Sequence, residues 1–338
     1  MPAVILIAVL ASSLGACGGT PSPRHRIGSL PFPGPNTIYA LADPDALGDH
    51  RYEIALGQPL ADAVEIQRGT VYTCEAGFLD VAHLRLTVDW MRYARTRLEP
   101  ALRAGKTQAS FVGPDDTIVH ASFVYPPVWD DIPDDARERA LTESLIRACA
   151  RASYLIWTWH ELITHEGHST FALISEEGSA FGYDDMVSHA VGLRIGEAVL
   201  RDARPHNEAT TAHLSDELRR LGVVSKGECA LAVDAVRGQW WERTGPILRQ
   251  YDTGLESGRI AVHRVPGLAA CEGAAGAALD VPFGSADPVI EPRIEQAFEP
   301  RTPTGRRIAE GLGVERLTAA DIARAIDEVA ERAARPGG

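Results

Sequence analysis

From about residue 80 onward, apolar residues recur at three- and four-residue spacing. That spacing predicts helices over 80–103, 134–164, 183–203, 208–221, 227–242 and 318–334. The last opens on Thr318 with Asp321 three residues on, a capping-box pattern just ahead of Ile322. Between the first two helices, 109–112 and 118–125 read as short strands turned by Gly113-Pro114-Asp115-Asp116. Residues 243–310 are rich in Gly and Pro and read as irregular, with a strand at 260–265. The predicted fold is mainly α (α+β): one helical domain with a small β element and an irregular C-terminal region. A separate C-terminal subdomain is the alternative, and there is no internal repeat.

Several polar residues fall on the apolar faces of these helices. At about 100° per residue, Asp80, His83 and Thr87 share the stripe of Leu84, Val88 and Met91. Arg85 and Asp89 fall on the opposite side, where a surface ion pair contributing a few tenths of a kcal/mol accounts for them. A buried, uncompensated charge costs several kcal/mol, so Asp80 and His83 must cap the helix, pair with each other or serve a site. N-capping is the simple account of Asp80.

The second helix carries His160 on the flank of its apolar stripe, followed by Glu161. His160-Glu161 with His165 and His168 invites comparison with the HExxH zinc motif, but the position four after His160 is Thr164. His165 lies about 140° round the helix from His160, so the two cannot bind one ion from a straight helix. His165 and His168 near a helix end, with Gly167 closing it, read as dipole-complementing residues. The next segment supplies Glu177, Ser179, Asp184, Asp185, Ser188 and His189, and Gly192 and Gly196 one turn apart suggest close helix packing. Four of the 11 histidines fall within residues 160–189, a density that marks this stretch as a candidate site.

Composition narrows the function. With 33 Lys plus Arg against 46 Asp plus Glu, the formal net charge of −13 opposes binding to nucleic acid and to anionic lipid surfaces. Residues 2–16 are uncharged, too short for a membrane-spanning helix, and read as a secretory leader. Leu14-Gly15-Ala16-Cys17 resembles the lipobox of bacterial lipoproteins, although the leader lacks a Lys or Arg at its start. The expected organisation is a lipoprotein signal peptide at 1–16, a Gly/Pro/Ser-rich tether at 17–36 and the helical domain at 37–338. Acylated Cys17 would anchor the chain to a lipid bilayer, and Gly18 after it implies outer-membrane delivery, facing the periplasm. Cys74, Cys149, Cys229 and Cys271 allow three disulfide pairings that the sequence leaves open. Cys149 fits a free core thiol as well as a bridge.

Three blocks taken together resemble a known bacterial family. They are D-x-x-H-x-R-x-x-x-D from Asp80 to Asp89, W-H-E-x-x-T-x-x-G from Trp159 to Gly167, and S-x-E-x-S-A-F followed by Asp184, Asp185 and Ser188. The pattern is similar to that of the domain of unknown function 4056 family, whose members are often described as lipoproteins. The blocks span a motif core at 77–192, and the resemblance brings no activity with it. His165, Glu166 and His189 depart from the family's pattern.

The expected function is a metal-dependent or acid/base hydrolase of the cell envelope. Asp80, His83 and His160 would be metal ligands for Zn²⁺ or another divalent ion, and Glu161, Glu177 and Asp185 catalytic groups. The sequence has no G-x-S-x-G nucleophile elbow. The alternative is a non-catalytic lipoprotein whose buried polar network is structural or lines a ligand pocket.

Overall fold

The computed structural model describes residues 22–23, 41–52, 69–169, 177–242, 245–274, 278–281 and 289–335. The leader, Cys17 and nearly all of the tether lie outside the described residues.

In chain order the elements are β1 (Thr70–Thr73), β2 (Gly77–Asp80), α1 (Val81–Arg103), β3 (Gln108–Val112), β4 (Thr117–Val124), α2 (Asp134–His165) and α3 (Asp185–Arg201). There follow α4 (His206–Arg220), α5 (Lys226–Ala235), β5 (Trp241–Glu242), β6 (Gly245–Pro246), β7 (Arg259–Ala261) and β8 (Ala278–Asp280). The described chain closes with β9 (Arg293–Pro300), α6 (Pro303–Gly311) and α7 (Ala319–Ala334). The fold is mainly α with strands in small antiparallel sheets, as the periodicity predicts. None of the described helices is long and apolar enough to cross a membrane.

Helix α1 is the hub. The β1–β2 hairpin feeds directly into it: Asp80 ends β2, and its Oδ1 accepts from the Ala82 N–H at 2.7 Å, satisfying one orphan donor of the first turn. The hairpin's return needs Gly77 at φ +70°, where a Cβ would stand 2.3 Å from the His263 carbonyl oxygen. Leu84, Met91 and Leu98, seven residues apart, are fully buried on α1. One flank of α1 lies against α2 and another against α3. Gly192 and Gly196 let α3 approach closely: a Cβ at Gly192 would lie 2.7 Å from Thr87 Cβ, and one at Gly196 2.3 Å from Met91 Sδ. Ile322, Ile326 and Val329 of α7 belong to the same buried cluster as α1 and α2. The capping box of Thr318 and Asp321 is formed as expected.

Three expectations change. The helix expected over 227–242 stops at Ala235, and Gly238, at φ +75°, turns the chain into β5. Residues 243–310 are more regular than their composition suggests, since β9 pairs with β4 along its full length and α6 follows it. The alternation of β9 is disguised because Gln296 occupies an inward position, where its Nε2 donates to the Ala148 carbonyl at 2.8 Å. Arg85 and Asp89 form no surface pair, because both are buried at 1 % exposure. The segment 47–50 and α4 cover that face of α1, and the Arg85 Nη2 donates to the carbonyls of Leu47 and Gly48.

Of the four cysteines, Cys74 and Cys271 form a disulfide that ties the turn of the hairpin to the distant loop at 271. Cys149 and Cys229 are buried free thiols.

Candidate functional site

Two His/carboxylate centres flank α1, and a third sits at the end of α2. The first gathers Asp80, His83, Glu161, Asp184 and Asp185. His83 Nδ1 lies 3.3 Å from Asp185 Oδ1 and 3.8 Å from Asp80 Oδ2. Backbone amides hold the acids in place: Phe181 N donates to Glu161 Oε2 at 2.8 Å, and Gly182 N to Asp185 Oδ2 at 2.7 Å. With Asp80 capped by Ala82, three carboxylates each have one oxygen fixed by the main chain. Phe181 reaches this position at φ +56°, a conformation that is strained for a bulky side chain and that aims its N–H at Glu161. Ser188 links the helix starts, since its Oγ accepts from Asp80 N and donates to the Asp184 carbonyl.

The centre is buried, with Asp80, Glu161, Asp184 and Asp185 all below 9 % exposure, while 17 % of the His83 side chain reaches solvent. Burial, and next the Asp80 charge, push the Asp184 carboxyl up to about 7, with His83 pulling the other way. Asp185 is raised well above the usual carboxylate range by burial and by Glu161, Asp184 and Asp80. At neutral pH the cluster therefore retains protons on acids that stand beside other carboxylates.

His189 lies one turn beyond Asp185 on α3. Its ring is 4.9 Å from that of His83 and stacks on Trp157 at 5.2 Å, and its Nδ1 pairs with Thr87 Oγ1 at 2.9 Å. Burial, together with the charges of His83 and His160, holds it well below the usual histidine range. It is a neutral wall of the centre, although its departure from the family pattern argued against it.

His160 is engaged elsewhere. Its Nδ1 lies 2.8 Å from Asp115 Oδ2, and His168 Nε2 is 3.5 Å from the other oxygen of that carboxylate. Asp115 sits in the β3–β4 turn at φ +53°, which delivers its side chain to the end of α2. The structure thus brings together four of the expected residues, Asp80, His83, Glu161 and Asp185. It adds Asp184, gives His160 a different carboxylate, and leaves Glu177 exposed at the start of the 177–182 turn. His165 packs against Tyr251 and Phe181.

The remaining centre escaped the sequence reading. His50 Nε2 and His206 Nε2 lie 2.9 and 3.0 Å from the same oxygen, Asp89 Oδ1, and all three ligand atoms fall within 4.8 Å of one another. Among the described residues, this is the His/Cys/Asp/Glu group tight enough to hold a metal ion. The acid centre around His83 is more open. The missed signal was Asp89, which its position opposite the apolar stripe made look like a surface residue.

Fold and centres together define a mainly helical protein that concentrates acids and imidazoles around one buried helix. A family model described as protein of unknown function (DUF4056) matches residues 15–252, and the chain belongs to that family. The matched span includes every residue of the three centres. No curated protein and no solved structure matches the chain.

Proposed function

We propose that this chain is a hydrolase of the bacterial envelope, held at the outer membrane through acylated Cys17 and facing the periplasm. Asp80, His83, Glu161, Asp184 and Asp185 form its acid/base centre. The observation that carries this reading is a cluster of four buried carboxylates, two of them within 4 Å of one partly exposed imidazole, with three of the acids pinned by backbone N–H groups. Carboxyls raised by burial, as Asp184 and Asp185 are, within a cluster of other acids are what acid/base hydrolysis needs. A carboxyl that keeps its proton at neutral pH protonates the leaving group, and an ionised neighbour takes a proton from water. Amide and ester bonds of peptidoglycan, peptide or lipid are the substrates that the location offers. The Cys74–Cys271 disulfide fits an oxidising compartment such as the periplasm.

A divalent ion at the same centre is a second reading, favoured by the density of buried acid. Asp80, His83 and Asp185 would have to draw in to hold it, since this centre is more open than the His50–Asp89–His206 group, and the ion would offset the repulsion between the acids and activate water.

The test uses the full chain in detergent, incubated with peptidoglycan sacculi or phospholipid vesicles, with soluble products read by mass spectrometry. Wild type releases products from one substrate, and Glu161→Gln and Asp184→Asn each lose about 10²–10⁴-fold. Activity that survives chelation assigns the reaction to the acids, and activity lost on chelation and restored by added metal assigns it to the ion. No release from either substrate, or undiminished release by both variants, refutes the hydrolase and leaves a structural network.

A further inference from the structure

We infer that His50, Asp89 and His206 form a structural metal site, selective for Zn²⁺ or a similar borderline divalent ion, that clips segment 41–52 onto α1 and α4. The site lies on the face of α1 opposite His83 and does not depend on the acid centre. Two imidazoles aim Nε2 at one carboxylate oxygen from 2.9 and 3.0 Å. Ligand atoms about 2.0–2.1 Å from a tetrahedral zinc lie about 3.3 Å apart, so each His–Asp pair would open by a few tenths of an ångström to admit an ion. Two nitrogens and one carboxylate oxygen suit Zn²⁺ and disfavour Ca²⁺ or Mg²⁺, which take oxygen ligands.

Charge and burial support an ion here. The Asp89 side chain is 1 % exposed and that of His50 0 %, whereas His206 is 10 % exposed, which places the remaining coordination position for water on its side. His206 is the first residue of α4, so the helix start fixes the chain direction from which its imidazole reaches Asp89.

The ligands also explain what the ion does. They come from three separated parts of the chain, and the segment carrying His50 has no helix or strand ladder over 47–52 to fix it. Its main chain is gripped from both sides of the site. Arg85 donates to Leu47 and Gly48, His50 N donates to Thr211 Oγ1 at 2.7 Å, and Tyr52 N donates to Asn207 Oδ1 at 3.0 Å. An ion at the centre of this grip cross-links segment, α1 and α4 in the folded chain alone, which is how a structural metal stabilises.

The experiment compares the full chain with His206→Gln, His206→Ala and His83→Ala after chelation and reloading with Zn²⁺ alone. Bound zinc is counted by elemental analysis, and amide exchange is followed over residues 41–52. His206→Gln keeps a hydrogen-bonding side chain while removing the imidazole ligand. Both His206 variants are expected to bind one zinc fewer per chain than wild type, and His83→Ala to keep that zinc. Zinc at about 100 times its Kd should slow exchange of 41–52 in wild type by about 100-fold and leave His206→Gln unchanged. If the acid centre also takes zinc, wild type binds two ions and His83→Ala one, while the loss in the His206 variants is still one. Equal zinc in wild type and the His206 variants, or no zinc-dependent protection of 41–52 in wild type, overturns the proposal and leaves a hydrogen-bonded His-Asp-His network. The protection measurement on wild type decides the matter even if both His206 variants fail to fold.

Discussion

The acid centre predicts an unusual dependence of stability on pH, which Asp184→Asn isolates. Asp184 is 4 % exposed, and its carboxyl is raised from 3.8 to about 7 by burial and by the Asp80 charge. Between those values the folded chain keeps a proton that the unfolded chain releases, so stability falls as the pH rises through this window. The shift of about 3 units corresponds to about 4 kcal/mol in full, at 1.36 kcal/mol per unit. Between about pH 5 and about pH 8 most of this is lost, on the order of 2–3 kcal/mol. His189 acts in the opposite sense: its pKa is depressed, so its contribution is lost as the pH falls below the ordinary histidine range. Comparing wild type with Asp184→Asn cancels that contribution, because both chains carry His189, whereas Asp185 is raised partly by Asp184 itself and adds to the difference in the same sense. Unfolding free energies from urea titrations, in chelator at the two pH values, should show wild type losing on the order of 2–3 kcal/mol more than the variant on going from acid to base. Equal pH dependence in the two proteins would mean that Asp184 is ionised in the folded chain at neutral pH, and the acid/base assignment would fall with it.

Three further predictions concern the scaffold. Gly192→Ala should destabilise by about 1–2 kcal/mol, since overpacking against Thr87 Cβ and the Leu84 carbonyl outweighs the gain in helix propensity. Gly196→Ala meets the flexible Met91 side chain and should be near neutral, so a larger loss at 196 than at 192 in urea unfolding would contradict the packing. The double variant Cys74→Ala/Cys271→Ala should lose about 2–5 kcal/mol, because the bridge closes a loop across a sequence separation of 197. Cys149 and Cys229 should resist thiol labelling in the folded chain, and rapid labelling of either would contradict their burial.

Periodicity, capping and turn chemistry are local properties, and each was legible in the residues themselves. They placed the long helices to within a few residues, along with the β3–β4 hairpin and the Thr318 cap. The same local reading put Asp80 and His83 on a buried stripe, because a polar residue on an apolar face is visible from spacing alone, whereas Glu161 and Asp185 were expected to join them from the density of acids and histidines over 160–189. Gly192 and Gly196 announced a close helix packing, and the structure supplied α1 as the partner. What a helical wheel cannot show is whether a second element covers the opposite face. Asp89 and Arg85 looked solvated until segment 47–52 and α4 were seen to cover them. In the same way, β9 hid behind an inward glutamine whose partner, the Ala148 carbonyl, lies 148 residues away in sequence. His160 met Asp115 because a left-handed turn aimed that carboxylate at the end of α2. The sequence by itself determined the helices and which side chains could not be left in water. Tertiary structure decided which of them meet, since contacts between His50, Asp89 and His206 depend on chain paths that no local interaction encodes.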